Sequence, residues 1–281
     1  MKTGLVVEGG ATRGYYTVGV MDCLLENGIY TDYFIGVSAG IANGMSYISK
    51  QIGRNLEIGT VHNSKKEYMG ISNLLKTGNY YNIDYVFRRI PEELLPYDYD
   101  TFYNYNGDVY AVVTRLDTGE CEYMDIKKCS KDIKEVIASC ALPLLFKPVE
   151  INGKLYYDGG ISNSIPFKKA LDDGCDKIIV ILTRDRGYIK KTTSTVKISA
   201  QMFNKHKKFK QAMLNRADMY NKQRAELFDL ERQGKAFVIC PEDTSGWKRI
   251  DNSAEFVKSI YEQGYKQTEK IMNDLKLYLE R

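Results

Sequence analysis

Short apolar runs alternate with longer amphipathic segments along the chain. The apolar runs predict strands near residues 4–8, 33–37, 108–114, 120–124, 154–157, 177–183 and 235–240. Apolar positions at helical spacing predict helices near 14–27, 39–52, 84–90, 131–140, 166–173, 197–232 (with a break) and 253–280. Turn-forming residues around 107–108 and 117–120 also predict a hairpin. This order predicts an α/β fold with a mostly parallel central sheet, flanked by helices in three layers.

The segment Gly36-Val37-Ser38-Ala39-Gly40 joins a predicted strand to a predicted helix. It has the G-x-S-x-G pattern of a nucleophile elbow, in which a tight turn exposes the serine hydroxyl. Gly36 and Gly40 let the backbone turn without a clashing Cβ. Ser38 would lie at a helix N-terminus, where developing negative charge is favoured. Because an ordinary strand-to-helix turn can match the same pattern, other motifs must support this hypothesis.

A second glycine cluster, Gly9-Gly10-Ala11-Thr12-Arg13-Gly14, lies between the first predicted strand and helix. The backbone N–H groups of such a loop can bind an anion, either a phosphate or a transient oxyanion. The dinucleotide-binding pattern fits poorly because Ala11 stands where its second glycine belongs, and no Gly-Lys-Ser/Thr follows as in the phosphate loop of nucleotide hydrolases. An oxyanion hole that serves Ser38 is therefore the favoured interpretation.

A third motif, Asp158-Gly159-Gly160, follows the strand predicted near 154–157. An acid at this position would project from the carboxyl edge of a sheet, where the sites of α/β folds lie. The alternative is an aspartate that forms a turn by accepting hydrogen bonds from nearby backbone N–H groups.

The sequence contains only two histidines, His62 and His206. His62 follows a polar stretch and is expected in a surface loop, and His206 lies at the edge of an apolar helical stripe. We expect both to be structural residues. A conventional Ser-His-Asp triad would have to use one of them.

In their order, the three motifs resemble those of the patatin-like phospholipase family, which has a Gly-Gly-Gly-x-Arg/Lys-Gly loop, a G-x-S-x-G elbow and a later Asp-Gly-Gly/Ala. The blocks at 138–149 and 161–166 are also similar, so the resemblance covers roughly residues 4–183. Ala11 departs from the family pattern, which usually has a third glycine there. If this position has positive φ, alanine strains the loop by about 1 kcal/mol, and otherwise nothing is lost.

The resemblance implies a three-layer patatin-like fold and a Ser-Asp dyad, in which Asp158 accepts the proton of Ser38. Amides of the 9–14 loop would hold the oxyanion, with Arg13 either bracing the loop or attracting an anionic head group. The implied activity is hydrolysis of lipid carboxylic esters, as in a phospholipase A or lysophospholipase, through an acyl-enzyme. Three alternatives stay open: an acyltransferase with the same dyad, a catalytically silent module that binds an acyl lipid, and a triad esterase that uses His206.

Composition adds a few bounds. With 281 residues and 43% hydrophobic content, we expect one domain over 1–281, with its motif core at about 4–183 and further strand and helices at about 184–281. The net charge of +4 gives no reason to expect nucleic acid as a partner. The early first strand and the lack of a long apolar run predict a cytoplasmic protein. Scattered cysteines without metal-ligand spacing predict reduced thiols, with no metal and no cofactor; they are residues 23, 121, 129, 140, 175 and 240.

Two regions outside the motifs could set the substrate. Residues 80–110 contain eight tyrosines, which suit either a rim between acyl chain and water or a cap packed on the domain. Residues 186–217 contain nine Lys or Arg and no Asp or Glu. This basic segment is either a solvated helix face or a peripheral contact with an anionic membrane.

Overall fold

The structure, a computed structural model, describes residues 1–128, 132–248, 251 and 253–280. The described residues form one eight-stranded mixed sheet with the order β5-β6-β3-β2-β1-β7-β8, and β4 pairs with β3. Its strands are β1 (Thr3–Val7), β2 (Tyr33–Val37), β3 (Asp108–Arg115), β4 (Cys121–Asp125), β5 (Val149–Ile151), β6 (Lys154–Asp158), β7 (Lys177–Ile181) and β8 (Ala236–Ile239).

The five neighbouring strands β3-β2-β1-β7-β8 run parallel to one another. The pairs β3–β4, β3–β6 and β5–β6 are antiparallel. The predicted sheet flanked by helices is confirmed, as is the β3–β4 hairpin. The short strand β5 is an addition to the seven strands that the apolar runs predict.

The central strands β1, β2 and β7 are mainly apolar because both of their faces are covered. Alternate residues of a strand point to opposite faces of the sheet. Leu5 and Phe34 therefore pack in one core cluster, and Val6 and Ile35 pack in another. Helices on both sides of the sheet complete the three layers.

The helices agree with the predicted ones in the strongly periodic segments. The break in 197–232 separates α8 from α9, and the last predicted helix is divided into α10 and α11. The α-helices are α1 (Gly14–Glu26), α2 (Ala39–Ile48), α3 (Arg54–Glu57), α4 (Ile71–Thr77), α5 (Tyr99–Tyr103), α6 (Lys134–Cys140), α7 (Phe167–Asp172), α8 (Ser194–Gln201), α9 (Lys207–Arg232), α10 (Ala254–Lys270) and α11 (Met272–Glu280).

Several short elements were not predicted. They are α3, α4, α5 and the π-helical turn Ile58–His62, and the helix expected near 84–90 is a π-helical segment, Tyr85–Leu94. In the described part of the chain, no helix combines the length and apolarity needed to cross a bilayer.

Helices α1 and α10 pack with their backbones unusually close together. A Cβ added at Gly19 of α1 would overlap the carbonyl oxygen of Tyr261, and one added at Gly264 of α10 would overlap the carbonyl oxygen of Tyr16. Glycine is needed at both positions because only it lets the two backbones approach this closely. The contact holds α1, which begins directly after the 9–14 loop.

We expect Gly264→Ala to destabilise the protein by about 1–3 kcal/mol, because overpacking this contact must push α1 and α10 apart. The gain in helix propensity, about 1 kcal/mol, offsets only part of that loss. Urea unfolding measures the change as a lower midpoint.

Gly187→Ala is the matched control, since an added Cβ there meets only the Asp185 carboxylate at 3.7 Å. Its midpoint should lie close to that of the unmodified protein. Equal midpoints for Gly264→Ala and Gly187→Ala would contradict the close helix contact.

Candidate active site

The register of strand β3 brings the predicted serine and aspartate to the same place. β2 pairs with β3 as far as Val37↔Val112, and antiparallel β6 pairs with β3 from Val113↔Asp158 onward. β4 pairs with one edge of β3 along both of these segments. β2 and β6 therefore both pair with the opposite edge of β3, one strand following the other along it. Ser38, directly after Val37, therefore lies at the point where Asp158 ends β6.

The turn at Ser38 has the strained backbone of a nucleophile elbow. Ser38 has φ 54° and ψ −125°, a conformation that residues with a side chain rarely adopt. A Cβ at Gly36 would lie 2.5 Å from the backbone nitrogen of Ile41, and one at Gly40 would lie 2.6 Å from the carbonyl oxygen of Val7. Both glycines of the motif are thus required by space.

Ser139, a fully buried residue of α6, also holds this turn. The Ser38 backbone N–H donates a hydrogen bond of 2.9 Å to its hydroxyl oxygen. The sequence placed Ser139 only inside a block that resembles the family, and no local pattern marks it as a partner of Ser38.

The glycine loop packs directly against the elbow. A Cβ at Gly9 would lie 2.8 Å from the carbonyl oxygen of Val37, and one at Gly10 would lie 2.8 Å from the Thr183 hydroxyl oxygen. Gly14 begins α1 where an added Cβ would lie 2.9 Å from the Asn43 amide nitrogen, on α2. These contacts bring the loop against the start of α2, beside Ser38.

The loop continues as one turn of 3₁₀ helix, Ala11–Arg13. The first N–H groups of such a turn have no carbonyl partner within the helix, so the amides of Ala11 and Thr12 are suited to hold an anion. Both residues line a cavity that also contains Ser38. Arg13 is buried and lies in the wall of a second cavity.

Ala11 has φ 49°, in the left-handed region. The departure from the family pattern therefore falls on a position that favours glycine, and alanine strains the loop there. Of the two outcomes that the sequence left open, the structure has the strained one.

Asp158 is buried, and its main chain and side chain are both held. Its Oδ1 accepts a hydrogen bond of 2.7 Å from the Gly160 N–H, and its backbone N–H donates to the carbonyl oxygen of Ala141 at 2.8 Å. A Cβ at Gly159 would overlap the Val112 carbonyl oxygen. The hydrogen bond from Gly160 forms the turn that the alternative interpretation of Asp158 expects. The Asp158 carboxylate also lines a cavity that contains Ser38.

Two cavities meet at Ser38, and they also share Ala11 and Leu142. The first, about 130 Å³, is lined mainly by apolar and aromatic side chains, among them Tyr15, Tyr68, Tyr81, Val86, Phe87, Leu145 and Phe146. The second, about 200 Å³, is lined mainly by polar and charged side chains and contains Asp158. The serine thus lies between an apolar compartment and a polar one.

The tyrosines of residues 80–110 differ in their surroundings. Tyr81 lines the apolar cavity and stacks on Phe146 with ring centroids 5.6 Å apart. Tyr97 and Tyr105 are instead buried in the core, with hydroxyls that donate to backbone carbonyl oxygens. Part of the region is therefore packed into the core, and Tyr81 lines the cavity.

Neither histidine lines either cavity that contains Ser38. His62 is not in a surface loop, as the polar stretch before it suggested, but is buried with its Nδ1 2.9 Å from the Tyr85 hydroxyl. Burial lowers its pKa. His206 is half-buried and precedes the first residue of α9.

The cysteines in the described residues are all free: Cys23, Cys121, Cys140, Cys175 and Cys240. Cys140 lies beside the apolar cavity, and burial raises the pKa of its thiol, with a further rise from the Asp158 carboxylate. Cys129 lies outside the described residues. Across the described ranges, His, Cys, Asp and Glu side chains form no group of three suited to hold a metal ion.

A family model described as patatin-like phospholipase matches residues 5–171, which is more than half of the chain. The chain belongs to the patatin-like phospholipase family. This confirms the family that the three motifs predict. A second model, a domain of unknown function (DUF6363), matches residues 206–280 of this patatin-like protein.

Curated relatives of this patatin-like protein match about two thirds of its length or somewhat less. The uncharacterized protein YjjU of Escherichia coli is 29% identical over 188 residues, which are 65% of this chain and 52% of that protein. Lysophospholipase NTE1 of Saccharomyces cerevisiae is 23% identical over 63% of this chain and 10% of its own. The mouse protein named 1-acylglycerol-3-phosphate O-acyltransferase Pnpla3 is 28% identical over 59% of this chain and 41% of its own. The chain thus spans about half or less of these relatives.

Among solved structures, VipD from Legionella pneumophila is similar with a TM-score of 0.52 and 15% sequence identity, over 97% of this chain and 67% of that one. This likeness shows the fold of the patatin-like protein. The expected patatin-like architecture is therefore confirmed.

We expect Ala11→Gly to stabilise the patatin-like protein by about 0.5–1 kcal/mol, because glycine relieves the left-handed strain, and this relief exceeds the greater chain entropy that it gives to the unfolded state. The urea midpoint should rise. Ala225→Gly, at an exposed position within α9, is the control of opposite sign, since glycine in a helix interior costs about 1 kcal/mol. A fall in both midpoints would contradict the strain at Ala11.

Proposed function

We propose that this patatin-like protein hydrolyses carboxylic esters of lipids, with Ser38 as the nucleophile and Asp158 as its general base. The observation that supports this most is that Ser38, Asp158 and the glycine loop line one cavity at the carboxyl end of β2. The name of the lysophospholipase relatives supports the same class of reaction.

The proposed reaction begins when Asp158 accepts the hydroxyl proton of Ser38, which attacks the ester carbonyl carbon. The amides of Ala11 and Thr12 stabilise the negative oxygen of the tetrahedral intermediate, in a site partly closed to water. The carbonyl re-forms, the alcohol leaves with the proton from Asp158, and an acyl-enzyme remains on Ser38. Water then attacks this ester with Asp158 again as the base, and the acid is released as Asp158 returns the proton to the Ser38 oxygen.

The division of the site into two cavities assigns a place to each half of the substrate. An acyl chain suits the cavity lined by Phe87, Leu145 and Phe146, because burial there removes apolar surface from water. The alcohol half and the attacking water then enter through the polar cavity. Asp158, which is 2% exposed, lies at the boundary of the polar cavity.

An acyltransferase is the second candidate, because one relative of this chain is named as an acyltransferase. The transfer reaction would use the same acyl-enzyme and differ only in the acceptor, an alcohol in place of water. The ratio of free acid to transferred acyl group, measured with an added alcohol acceptor, separates the two reactions.

We further propose that both parts of the chain act as a single domain. β8 extends the central sheet beside β7, and α10 packs on α1. Cooperative unfolding in one transition, followed by two different probes, would support this.

Ser38→Ala and Asp158→Asn should each lower turnover of an activated acyl ester by about a thousandfold or more, because either change removes the nucleophile or its base. Urea midpoints near that of the unmodified protein would show that the variants are folded. A fluorophosphonate probe should label Ser38 in the unmodified protein and leave Ser38→Ala unlabelled. That result would also exclude a catalytically silent binding module.

His206→Gln is the matched control, since His206 lies outside both cavities. It should turn over the activated ester at nearly the normal rate. Loss of activity in His206→Gln would favour the triad esterase, and full activity in Asp158→Asn would end the dyad proposal.

We propose that the basic segment 186–217 rests on an anionic membrane through α8 and the residues on both sides of it. Ile198 and Met202 lie one helical turn apart and are 72% and 71% exposed, and Ile189 is 68% exposed. Lys190, Lys191, Lys197 and Lys205 flank these residues along the sequence, and Val196 of α8 lines the polar cavity. Exposed apolar side chains within a basic segment are typical of interfacial binding and are poorly suited to a solvated helix face.

Replacing four lysines of this segment should weaken binding to anionic vesicles by more than tenfold, because each contributes roughly 1 kcal/mol near such a surface. The variant replaces Lys205, Lys207, Lys208 and Lys210 with Gln. Replacing Ile198 and Met202 with Ser should also weaken binding. Co-sedimentation with vesicles that contain phosphatidylserine measures both effects, and vesicles of phosphatidylcholine alone should retain little protein.

The matched control variant replaces four exposed lysines of α10 and α11 with Gln, at Lys258, Lys266, Lys270 and Lys276. It should bind anionic vesicles nearly as well as the unmodified protein. Equal retention on both vesicle types, or an equal loss in both lysine variants, would count against membrane contact through α8.

A further inference from the structure

The polar cavity beside Ser38 is strongly basic. Its lining contains five cationic side chains, from Arg13, Arg184, Lys190, Lys191 and Arg216. The acidic residues among its described lining are Glu8 and Asp158. Glu8 accepts a hydrogen bond of 2.7 Å from the backbone N–H of Thr183, and Asp158 is assigned to the chemistry. The wall opposite the apolar cavity thus has an excess of positive charge.

Arg216 projects from α9 toward the reacting groups. Its Nη2 lies 3.1 Å from the position that a Cβ on Gly160 would occupy, and Asp158 Oδ1 lies 3.0 Å from the same position. The absence of a side chain at Gly160 therefore leaves room for the guanidinium. The Nε of Arg216 is buried and has no hydrogen-bond partner in the described chain. A buried donor without a partner is costly, and an anion in the cavity would supply one.

Arg184 also lines the cavity, and most of its N–H donors are not used in hydrogen bonds within the described residues. Its guanidinium stacks on the ring of Tyr188 at 4.4 Å, and its one hydrogen bond within the described residues is a long one of 3.4 Å from Nη1 to the Thr244 hydroxyl oxygen. Stacking fixes the plane of the fork without using its N–H groups. Lys191 is exposed at the rim of the same cavity.

We propose that Arg216, Arg184 and Lys191 form a subsite for a phosphate on the alcohol half of the ester, so that the protein favours acyl esters whose leaving group bears a phosphate monoester. Planar guanidinium groups bind phosphate oxygens through paired hydrogen bonds, and a phosphate monoester is close to doubly charged near neutral pH. This inference rests on the proposed function, which places the alcohol half in the polar cavity. It also assigns a role to the 206–280 region, through Arg216.

The reaction is the hydrolysis already described, with a defined leaving group. The bond between the acyl carbon and the glycerol oxygen breaks, and glycerol phosphate leaves with the proton returned by Asp158. The subsite binds the phosphate throughout and takes no part in bond breaking. Arg216, Arg184 and Lys191 are therefore specificity-determining residues.

The decisive measurement compares two substrates with the same acyl chain, 1-acylglycerol 3-phosphate and 1-acylglycerol. In the unmodified protein, kcat/KM should be higher for the phosphate ester. Arg216→Gln and Arg184→Gln should each lower the ratio of the two kcat/KM values by about tenfold or more, the usual effect of losing a charge-assisted hydrogen bond. Lys222→Gln, on the same helix but 77% exposed at its side chain, should leave the ratio unchanged.

A second arm measures binding without chemistry. Ser38→Ala protein is titrated with glycerol 3-phosphate, inorganic phosphate and glycerol, and adding Arg216→Gln should weaken the affinity for glycerol 3-phosphate by about tenfold. If glycerol 3-phosphate binds but the unmodified protein hydrolyses no ester, the proposed function is overturned and the subsite is supported. Hydrolysis of both esters with a ratio unaffected by Arg216→Gln would overturn the subsite alone.

Two other results would also overturn the subsite. Inorganic phosphate that binds as tightly as glycerol 3-phosphate, and does not inhibit hydrolysis, would identify a site for free phosphate instead. An equal loss for both esters in Arg216→Gln, with a shifted acid limb of the pH profile, would show that Arg216 acts by tuning Asp158.

Discussion

The shared edge of β3 is the constraint on which the site depends. One strand ends there running parallel to β3 and another ends there running antiparallel, so residues distant in the chain meet where both ladders stop. Side chains alternate between the faces of a sheet, and a slip of one residue in the β3–β6 register would therefore turn Asp158 to the opposite face. The buried bonds of Thr114 and Ala141 to the Asp158 backbone oppose such a slip.

Close packing lets the site maintain strained backbone at two adjacent points. Ser38 and Ala11 both have positive φ, and each is held between glycines that approach neighbouring backbone or side-chain atoms closely. Ser139 adds a buried hydrogen bond to the elbow. Strain of this kind persists only where surrounding contacts determine the conformation, so the rigidity of the core is part of the design of the site.

The sequence predicted the features that local rules encode. Apolar runs located all but the shortest strand, and the glycine patterns at 9–14, 36–40 and 158–160 each mark a tight turn. The π-helical turn Ile58–His62 and the short helices α3, α4 and α5 escaped prediction because the apolar positions in them show no helical periodicity. His62 was assigned to the surface because its neighbours are polar, yet its own ring packs on Tyr85. Arg216 gave no local signal, since only folding brings α9 beside Gly160.

The glycine contact between α1 and α10 has a consequence for how the two matched regions depend on each other. The 9–14 loop leads directly into α1, and α1 packs closely against α10, a helix from the opposite end of the sequence. The part that matches the patatin-like family model, residues 5–171, therefore does not by itself contain the helix that packs on α1. A substitution in α10 that displaces α1 would also displace the 9–14 loop, however far the substituted residue lies from Ser38.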